Sequence, residues 1–279
     1  MYKIIEKTVV AHQINKFVIQ ASDISKKVLP GQFVILRLNE KGERIPITVA
    51  EKNIAEGTIT LFIQEVGKTT KKIGELQSGD YILDVVGPLG IASDIEKFGT
   101  VICIAGGVGT AVIYPIAKAL KEKGNEVITI LGARSKDLII LEKEMNEISD
   151  KMYIATDDGS YGVKGFVSDI LKKLISESGD ASVANIIYAI GPIPMMKVVS
   201  GITKQYNIKT IVSLNPIMVD GTGMCGACRV TIGGVTKFTC VDGPDFDGHL
   251  VDWDELICRL CTFKGKEKES IEHHCKLTK

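Results

Sequence analysis

Three cysteines and one aspartate in the stretch Met218–Cys240 are spaced for metal chemistry. Cys225-x2-Cys228-x11-Cys240 supplies three thiolates, and Asp220 stands five residues before the first. The order matches a plant-type [2Fe–2S] loop, Cys-x4-Cys-x2-Cys…Cys, with its first Cys replaced by Asp220. Harder ligands raise a cluster's potential, as the His ligands of Rieske centres do. Gly221, Gly223 and Gly226 let such a loop wrap closely and present N–H groups to the sulfides. The same residues also suit zinc held by Cys3Asp or Cys3His, or three unrelated thiols.

Two further sets could hold phosphate. IAGGVGTAVIYPIAKAL places Gly106, Gly107 and Gly109 between an apolar run and a helical one. Glycine lets backbone approach a pyrophosphate, and free N–H groups at a helix start favour its charge. Any tight strand-to-helix turn can use glycines this way, so the signal is weak alone. The next apolar run ends in LGARSKD, with Arg134 where an acidic ribose ligand is usual. Read from the residue alone, Arg134 favours a ribose phosphate, hence NADP, or is a solvated surface arginine. RIPITVAE gives Arg44-x-Pro46-Ile47-Thr48. A proline inside a strand suits an edge or a ligand-lined position, and arginine can clamp a diphosphate. VGKTTKKIGEL puts Gly67, Thr69 and Thr70 at a helix start, as a phosphate cradle or an ordinary threonine cap.

The elements that must position these residues change along the chain. Residues 1–97 read as strands, KIIEKTVV, NKFVIQA, GQFVILRL, ITLFIQE and YILDVV, with one helical piece, TTKKIGEL. Short strands at this spacing predict a small antiparallel β-barrel. Over residues 98–214 five apolar runs, VICIAGG, EVITILGA, KMYIATDD, NIIYAIG and TIVSLN, alternate with helical stretches. These are AVIYPIAKALKEKG, LIILEKEMNEIS, FVSDILKKLIS and PMMKVVSGITKQY. That alternation predicts a five-stranded parallel α/β sheet with helices on both faces and ligands at the C-terminal strand ends. Residues 215–279 lose periodicity and form a cysteine- and glycine-rich segment with a charged tail.

Composition narrows the classes. The chain has 279 residues, 45% of them apolar, with Lys plus Arg equal to Asp plus Glu at 34 each. There is no basic surplus for nucleic acid. Val101–Ala117 is short for a membrane span and is interrupted by the glycine turn. MYKIIEKTVV lacks the features of a signal peptide, so the seven cysteines point to metal or redox chemistry in the cytoplasm. Cys258-x2-Cys261, followed by His273, His274 and Cys275, reads as a zinc knuckle, a further cluster site or an incidental tail. Cys103, inside an apolar run, reads as a buried small hydrophobe.

RxPxT, GPLG at 87–90, GGVG at 106–109, GAR at 132–134, TDDGSYGVKG at 156–165 and GPIPMM at 191–196 follow one another in fixed order. This order resembles the ferredoxin-NADP reductase superfamily up to residue 214. With the cysteine segment, the chain is similar to one branch of it. That branch holds the electron-transfer subunit of dihydroorotate dehydrogenase, sulfide dehydrogenase and the small (alpha) subunit of electron-bifurcating NADH-dependent reduced ferredoxin:NADP oxidoreductase. MVDGTGMCGACRV, with Asp in the place of the first Cys, looks most like the last of these.

The resemblance implies that Arg44, Pro46, Ile47 and Thr48 hold the flavin and pyrophosphate of FAD, with Val66, Gly67, Thr69 and Thr70 on its other side. Gly106, Gly107, Val108 and Gly109 would meet the nicotinamide nucleotide. Arg134 and Asp158 would line its adenosine side, and Gly191, Pro192 and Met195 its nicotinamide side. It also implies NAD(H) rather than NADP(H) as the bound nucleotide, against the reading of Arg134 alone. Two positions depart from the pattern: Ile190, where many relatives have Cys, and Asn215, where the dihydroorotate branch has Glu. A flavin needs a one-electron outlet, which a [2Fe–2S] cluster on Asp220, Cys225, Cys228 and Cys240 offers and zinc does not. The implied reaction is hydride exchange between NAD(H) and FAD, then single electrons to the cluster and on to a partner, with no acid–base residue. The implied partner is a larger subunit with a second flavin and [4Fe–4S] clusters, through which ferredoxin is reached. Rival expectations are the dihydroorotate or sulfide dehydrogenase partner, or a non-catalytic zinc-containing binding protein on the same scaffold.

Overall fold

The computed structural model describes residues 1–178, 183–263, 265–267 and 269. Seven N-terminal strands form one antiparallel sheet: β1 (Tyr2–Ala11), β2 (Ile14–Gln20), β3 (Phe33–Arg37), β4 (Arg44–Asn53), β5 (Thr58–Gln64), β6 (Tyr81–Ile82) and β7 (Asp84–Leu89). Their order is β6-β1-β2-β5-β4-β3-β7. The two edge strands, β6 and β7, are separated in sequence by Leu83 alone. The chain therefore steps from one sheet edge to the other, and the sheet closes into a barrel with few free edges. Alternating residues fill the interior, among them Phe17 and Ile19, Val34 and Leu36, and Ile59, Leu61 and Ile63. Two helices accompany the barrel, α1 (Ser22–Lys27) and α2 (Lys68–Glu75). α1 was not expected from the sequence: it is short, and only Ile24 and Ser25 on it are buried, so it has no apolar period to read.

The next part holds the five expected parallel strands, β8 (Thr100–Gly106), β9 (Glu126–Ala133), β10 (Lys151–Thr156), β12 (Ile186–Ile190) and β13 (Lys209–Ser213). A short β11 (Val163–Lys164) is added beside β10. Side chains alternate between two cores. Ile102 and Ile104 of β8 pack with α5 (Val167–Ser178) and α6 (Ile193–Gln205). Val101, Cys103 and Ala105 pack with α3 (Gly109–Glu122) and α4 (Glu142–Ile148). The helix expected from residue 138 begins only at Glu142. Leu141 takes φ +56°, and Ile140 is buried against Ala11, Ile14, Ala50 and Phe62 of the barrel. Packing across that boundary bends the chain away from helix there.

The cysteine-rich segment is more regular than its sequence suggested. β14 (Arg229–Ile232) and β15 (Val235–Phe238) form a hairpin on Gly233-Gly234, both at positive φ. Gly-Gly between two apolar runs is a hairpin signal that could have been read. α7 (Thr239–Asp242), β16 (Asp245–Asp247) and α8 (Trp253–Leu260) follow. β16 pairs antiparallel with β13, giving the sheet order β11-β10-β9-β8-β12-β13-β16. The iron–sulfur segment thus shares a sheet with the nucleotide-binding part. It also covers the barrel, because Phe33 and Ile35 cluster with Met218, Cys228 and Cys240.

Candidate cofactor sites

The barrel site begins with a strand that is paired on one side only. Arg44, Pro46, Ile47 and Thr48 stand opposite Arg37, Ile35, Val34 and Phe33 of β3. β5 joins β4 only from Val49 onward. Pro46 therefore lies on a half-strand with a free edge, where its missing N–H is tolerated. Arg37 is spent on an ion pair with Asp84. Arg44 is exposed and has no such partner among the described residues, so it is available to an anion. Ile47 packs against the barrel core. The start of α2 lies alongside, because the Thr69 hydroxyl donates to Glu43, the residue before Arg44. The Gly67 N–H donates to Thr70 Oγ1 at 2.9 Å, so Thr70 closes the helix start from its third position. Gly67 faces open space and Val66 is exposed. The two halves of the expected flavin site are thus neighbours.

The glycine turn joins β8 to α3, and its glycines have different reasons. A Cβ on Gly109 would lie 2.4 Å from the Ile190 carbonyl oxygen, and one on Gly106 2.7 Å from Met195 Sδ. A Cβ on Gly191 would meet the backbone nitrogen of Gly106 at 3.0 Å. These three glycines let the turn after β8 seat on the turn after β12. Gly107 alone combines positive φ (+56°) with open space beyond it. Val108 is half-buried and joins the apolar contact with the barrel. Pro192 precedes the first turn of α6, and Met195 lies half-buried between the two turns. The Gly-rich ends of β8 and β12 therefore make one floor at the C-terminal edge of the sheet, beside the barrel.

Arg134 and Asp158 meet further along the same edge, where the Asp158 N–H donates to the Arg134 carbonyl at 3.2 Å. Both side chains are exposed. The Ser160 hydroxyl and N–H both donate to Asp158 Oδ1, at 2.7 and 2.9 Å, and hold its carboxyl below the usual carboxylate range. Lys136, two residues past Arg134, sits over the Tyr161 ring at 4.9 Å.

In the cysteine loop, Cys228 Sγ and Cys240 Sγ are 3.2 Å apart and buried against Phe33 and Ile35. Two thiolates on one tetrahedral metal at about 2.3 Å stand roughly 3.8 Å apart, so this pair needs little movement to share one ion. Asp220 and the exposed Cys225 form the second pair. Asp220 Oδ2 accepts from the Cys225 N–H and Oδ1 from the Thr222 N–H, each at 2.8 Å. The Thr222 bond chiefly lowers the Asp220 pKa. Each carboxylate oxygen keeps a further lone pair for a metal. Burial, then the neighbouring Cys228, pushes the Cys240 thiol up to about 12, and Asp220 adds to the effect. Gly221, Gly223 and Gly226 all take positive φ. Two pairs of ligands side by side fit a two-metal cluster.

Residues 1–93 match the oxidoreductase FAD-binding domain, 103–201 the oxidoreductase NAD-binding domain and 215–252 the iron–sulfur cluster binding domain of dihydroorotate dehydrogenase B. A dihydroorotate dehydrogenase B (NAD(+)) electron transfer subunit homolog of Thermotoga maritima is 51% identical over 98% of this chain and 95% of its own. The chain belongs to the family of dihydroorotate dehydrogenase B electron transfer subunits and their homologues. The family's electron transfer subunit from Fusobacterium nucleatum is 33% identical over 86% of this chain and 93% of its own. A chain in the solved NADH-dependent reduced ferredoxin-NADP oxidoreductase, described for flavin-based electron bifurcation, superposes with a TM-score of 0.91. It is 50% identical over 99% of this chain and 98% of that one. A ferredoxin reductase of carbazole 1,9a-dioxygenase shares the fold, with a TM-score of 0.62 at 17% identity.

Membership makes the chain an oxidoreductase with FAD-binding, NAD-binding and iron–sulfur cluster binding domains. Among the described residues no helix is long and apolar enough to cross a membrane. Of the departures from the family pattern, Ile190 is buried with its carbonyl against Gly109, and Asn215 is exposed just past β13. Cys103 is fully buried, and burial pushes its thiol up to about 12. Cys258 and Cys261 are exposed at the end of α8, which is tied to the cysteine loop by Arg259 donating to the Ala227 carbonyl at 3.0 Å. His273, His274 and Cys275 lie outside the described residues. Sequence reasoning missed Phe33 and Ile35. Their signal was present: FVILR is apolar without alternation, the mark of a strand covered on both faces.

Proposed function

We propose that the chain exchanges hydride between NAD(H) and FAD and relays single electrons through a [2Fe–2S] cluster. They pass to a larger flavin and [4Fe–4S] subunit, in an NADH-dependent reduced ferredoxin:NADP oxidoreductase. The observation that carries this reading is the placement of β3. One neighbour of β3 is the half-open strand Arg44–Thr48, and its outer face touches Cys228 and Cys240. A flavin held by the first and a cluster held by the second would have β3 as their shared neighbour. When bound, FAD takes two electrons as hydride and releases them singly, which NAD(H) cannot do.

The chain's own residues bind and orient. Arg44 and the α2 start, with Val66, Gly67, Thr69 and Thr70, would hold the diphosphate, and Pro46, Ile47 and Thr48 the flavin. Gly106, Gly107, Val108 and Gly109, with Gly191, Pro192 and Met195, form the floor for nicotinamide. Asp220 with Cys225, and Cys228 with Cys240, would each take one iron. At the adenosine end, the exposed Asp158 beside Arg134 supports NAD over NADP, because a carboxylate there repels a ribose phosphate. The division of labour follows 1–97 for FAD, 98–214 for NAD and 215–279 for the cluster.

Anaerobic purification tests the reading. Flavin and iron–sulfur absorption should both appear, NADH should bleach the flavin, and the larger subunit should co-purify. Colourless protein, or zinc in place of iron, would return the chain to a binding role. Likeness to the Fusobacterium nucleatum subunit supports a second partner, a dihydroorotate dehydrogenase. Orotate-forming activity in the co-purified complex, without NADPH oxidation, would establish that instead.

A further inference from the structure

We propose that Ile35 and Gly221 act as a spacer that fixes how closely the cysteine loop stands to the flavin-site strand, and so sets the rate of the flavin-to-cluster step. This rests on the cofactor assignment above. Side chains on β3 alternate, so Val34 and Leu36 enter the barrel while Phe33 and Ile35 point outward. The outward pair is nevertheless 3% and 2% exposed, because the cysteine segment covers it. In the other direction the ladder sets Phe33 opposite Thr48 and Ile35 opposite Pro46.

The contact has no slack. A Cβ on Gly221 would lie 2.7 Å from Ile35 Cγ1, 3.0 Å from Ile35 Cδ1 and 3.2 Å from Leu89 Cδ1. The loop backbone itself therefore rests on Ile35, immediately after Asp220. The β3 backbone beneath Ile35 is paired with β4 on one side and with β7 on the other. Volume added at this contact bears on the loop at Asp220, the neighbour of Gly221, and through it on Cys225, whose N–H donates to Asp220. Electron tunnelling decays exponentially with the gap, whereas the nucleotide floor of Gly106, Gly109, Gly191 and Met195 contains neither Ile35 nor Gly221. Each step moves one electron from reduced FAD to an oxidised cluster. Two such steps, with the cluster reoxidised by the partner subunit after each, return FAD, release one proton to solvent and consume the hydride that NADH supplied.

The test uses the complete complex with Gly221→Ala, Ile35→Phe and the double variant Gly221→Ala/Ile35→Ala. Stopped-flow absorbance separates flavin bleaching by NADH from cluster reduction. With flavin and iron contents unchanged, Gly221→Ala should leave bleaching at its native rate and slow cluster reduction by an order of magnitude. The double variant should recover most of that loss. Amide hydrogen exchange over residues 218–225 should rise in Gly221→Ala and fall back in the double variant. Ala at φ +77° is strained, so Ile35→Phe lengthens the spacer without touching the loop backbone. It should slow cluster reduction as well, and it decides the matter if Gly221→Ala loses iron. Native cluster reduction in Ile35→Phe, or equal slowing in Gly221→Ala and the double variant, overturns the spacer. Absence of flavin or iron from the native complex would instead sink the cofactor assignment.

Discussion

Asp220 organises its loop before any metal is considered, since both of its oxygens accept backbone N–H groups. As the hard oxygen ligand of the proposed cluster it should raise the potential. Asp220→Cys should lower that potential in a redox titration, and an unchanged value would count against the carboxylate's tuning role. On the proposed nucleotide site, Asp158 acts by charge. Asp158→Ser should raise kcat/KM for NADPH relative to NADH by about tenfold, equivalent to about 1.4 kcal/mol. Asp245 is the carboxylate placed least comfortably. Its Oδ2 accepts from the Ser93 hydroxyl at 2.5 Å, and Ser93 and Ser213 both favour the carboxylate, but burial outweighs them and raises its pKa. An acid with a raised folded pKa binds more protons folded than unfolded. Stability is therefore greatest at low pH and falls as pH rises from near 3.8 through the folded value. Asp245→Asn should abolish that fall and raise the neutral-pH melting temperature, by about 2–4 °C per kcal/mol relieved. A flat wild-type pH profile between acid and neutral would remove the argument.

At the scale of elements, the turns after β8 and β12 hold one another. Gly109 is small because the Ile190 carbonyl occupies the space beside it. Gly109→Ala should push α3 from β12, raise KM for NADH several-fold and leave FAD content unchanged, as checked by steady-state kinetics and flavin absorbance. The elements themselves were largely legible in the sequence. Strand–helix alternation gave the five parallel strands, and VICIAGG, the most continuously apolar run, became the central strand β8. What stayed hidden has particular causes. α1 has too few turns for a period, and α4 starts late because Ile140 is taken by the barrel. The β14–β15 hairpin was lost among glycines and cysteines read only for their chemistry.

At the scale of the whole molecule, two apolar contacts set the relative placement of the cofactor sites. Ala11, Ile14, Ala50 and Phe62 meet Ala111 and Ile140, which joins the barrel to the nucleotide sheet. Phe33 and Ile35 meet Met218, Cys228 and Cys240, which joins the barrel to the cluster loop. Phe62 is the largest side chain in the first contact, and Phe62→Ala should cost about 3–5 kcal/mol. The loss would be seen as an earlier urea midpoint and as slower flavin bleaching by NADH.

By itself the sequence determined the ligand spacing of the loop, the glycine turn, the order of motifs and the alternation of strand and helix. All of these are encoded over a few neighbouring residues, where backbone sterics and side-chain period act directly. Only tertiary structure decided that β3 stands between the flavin-site strand and the thiols, that Gly221 rests on Ile35, and that β16 completes the nucleotide sheet. Those contacts join residues far apart in the chain. They are selected by shape and burial once the elements dock, and no local period can announce them.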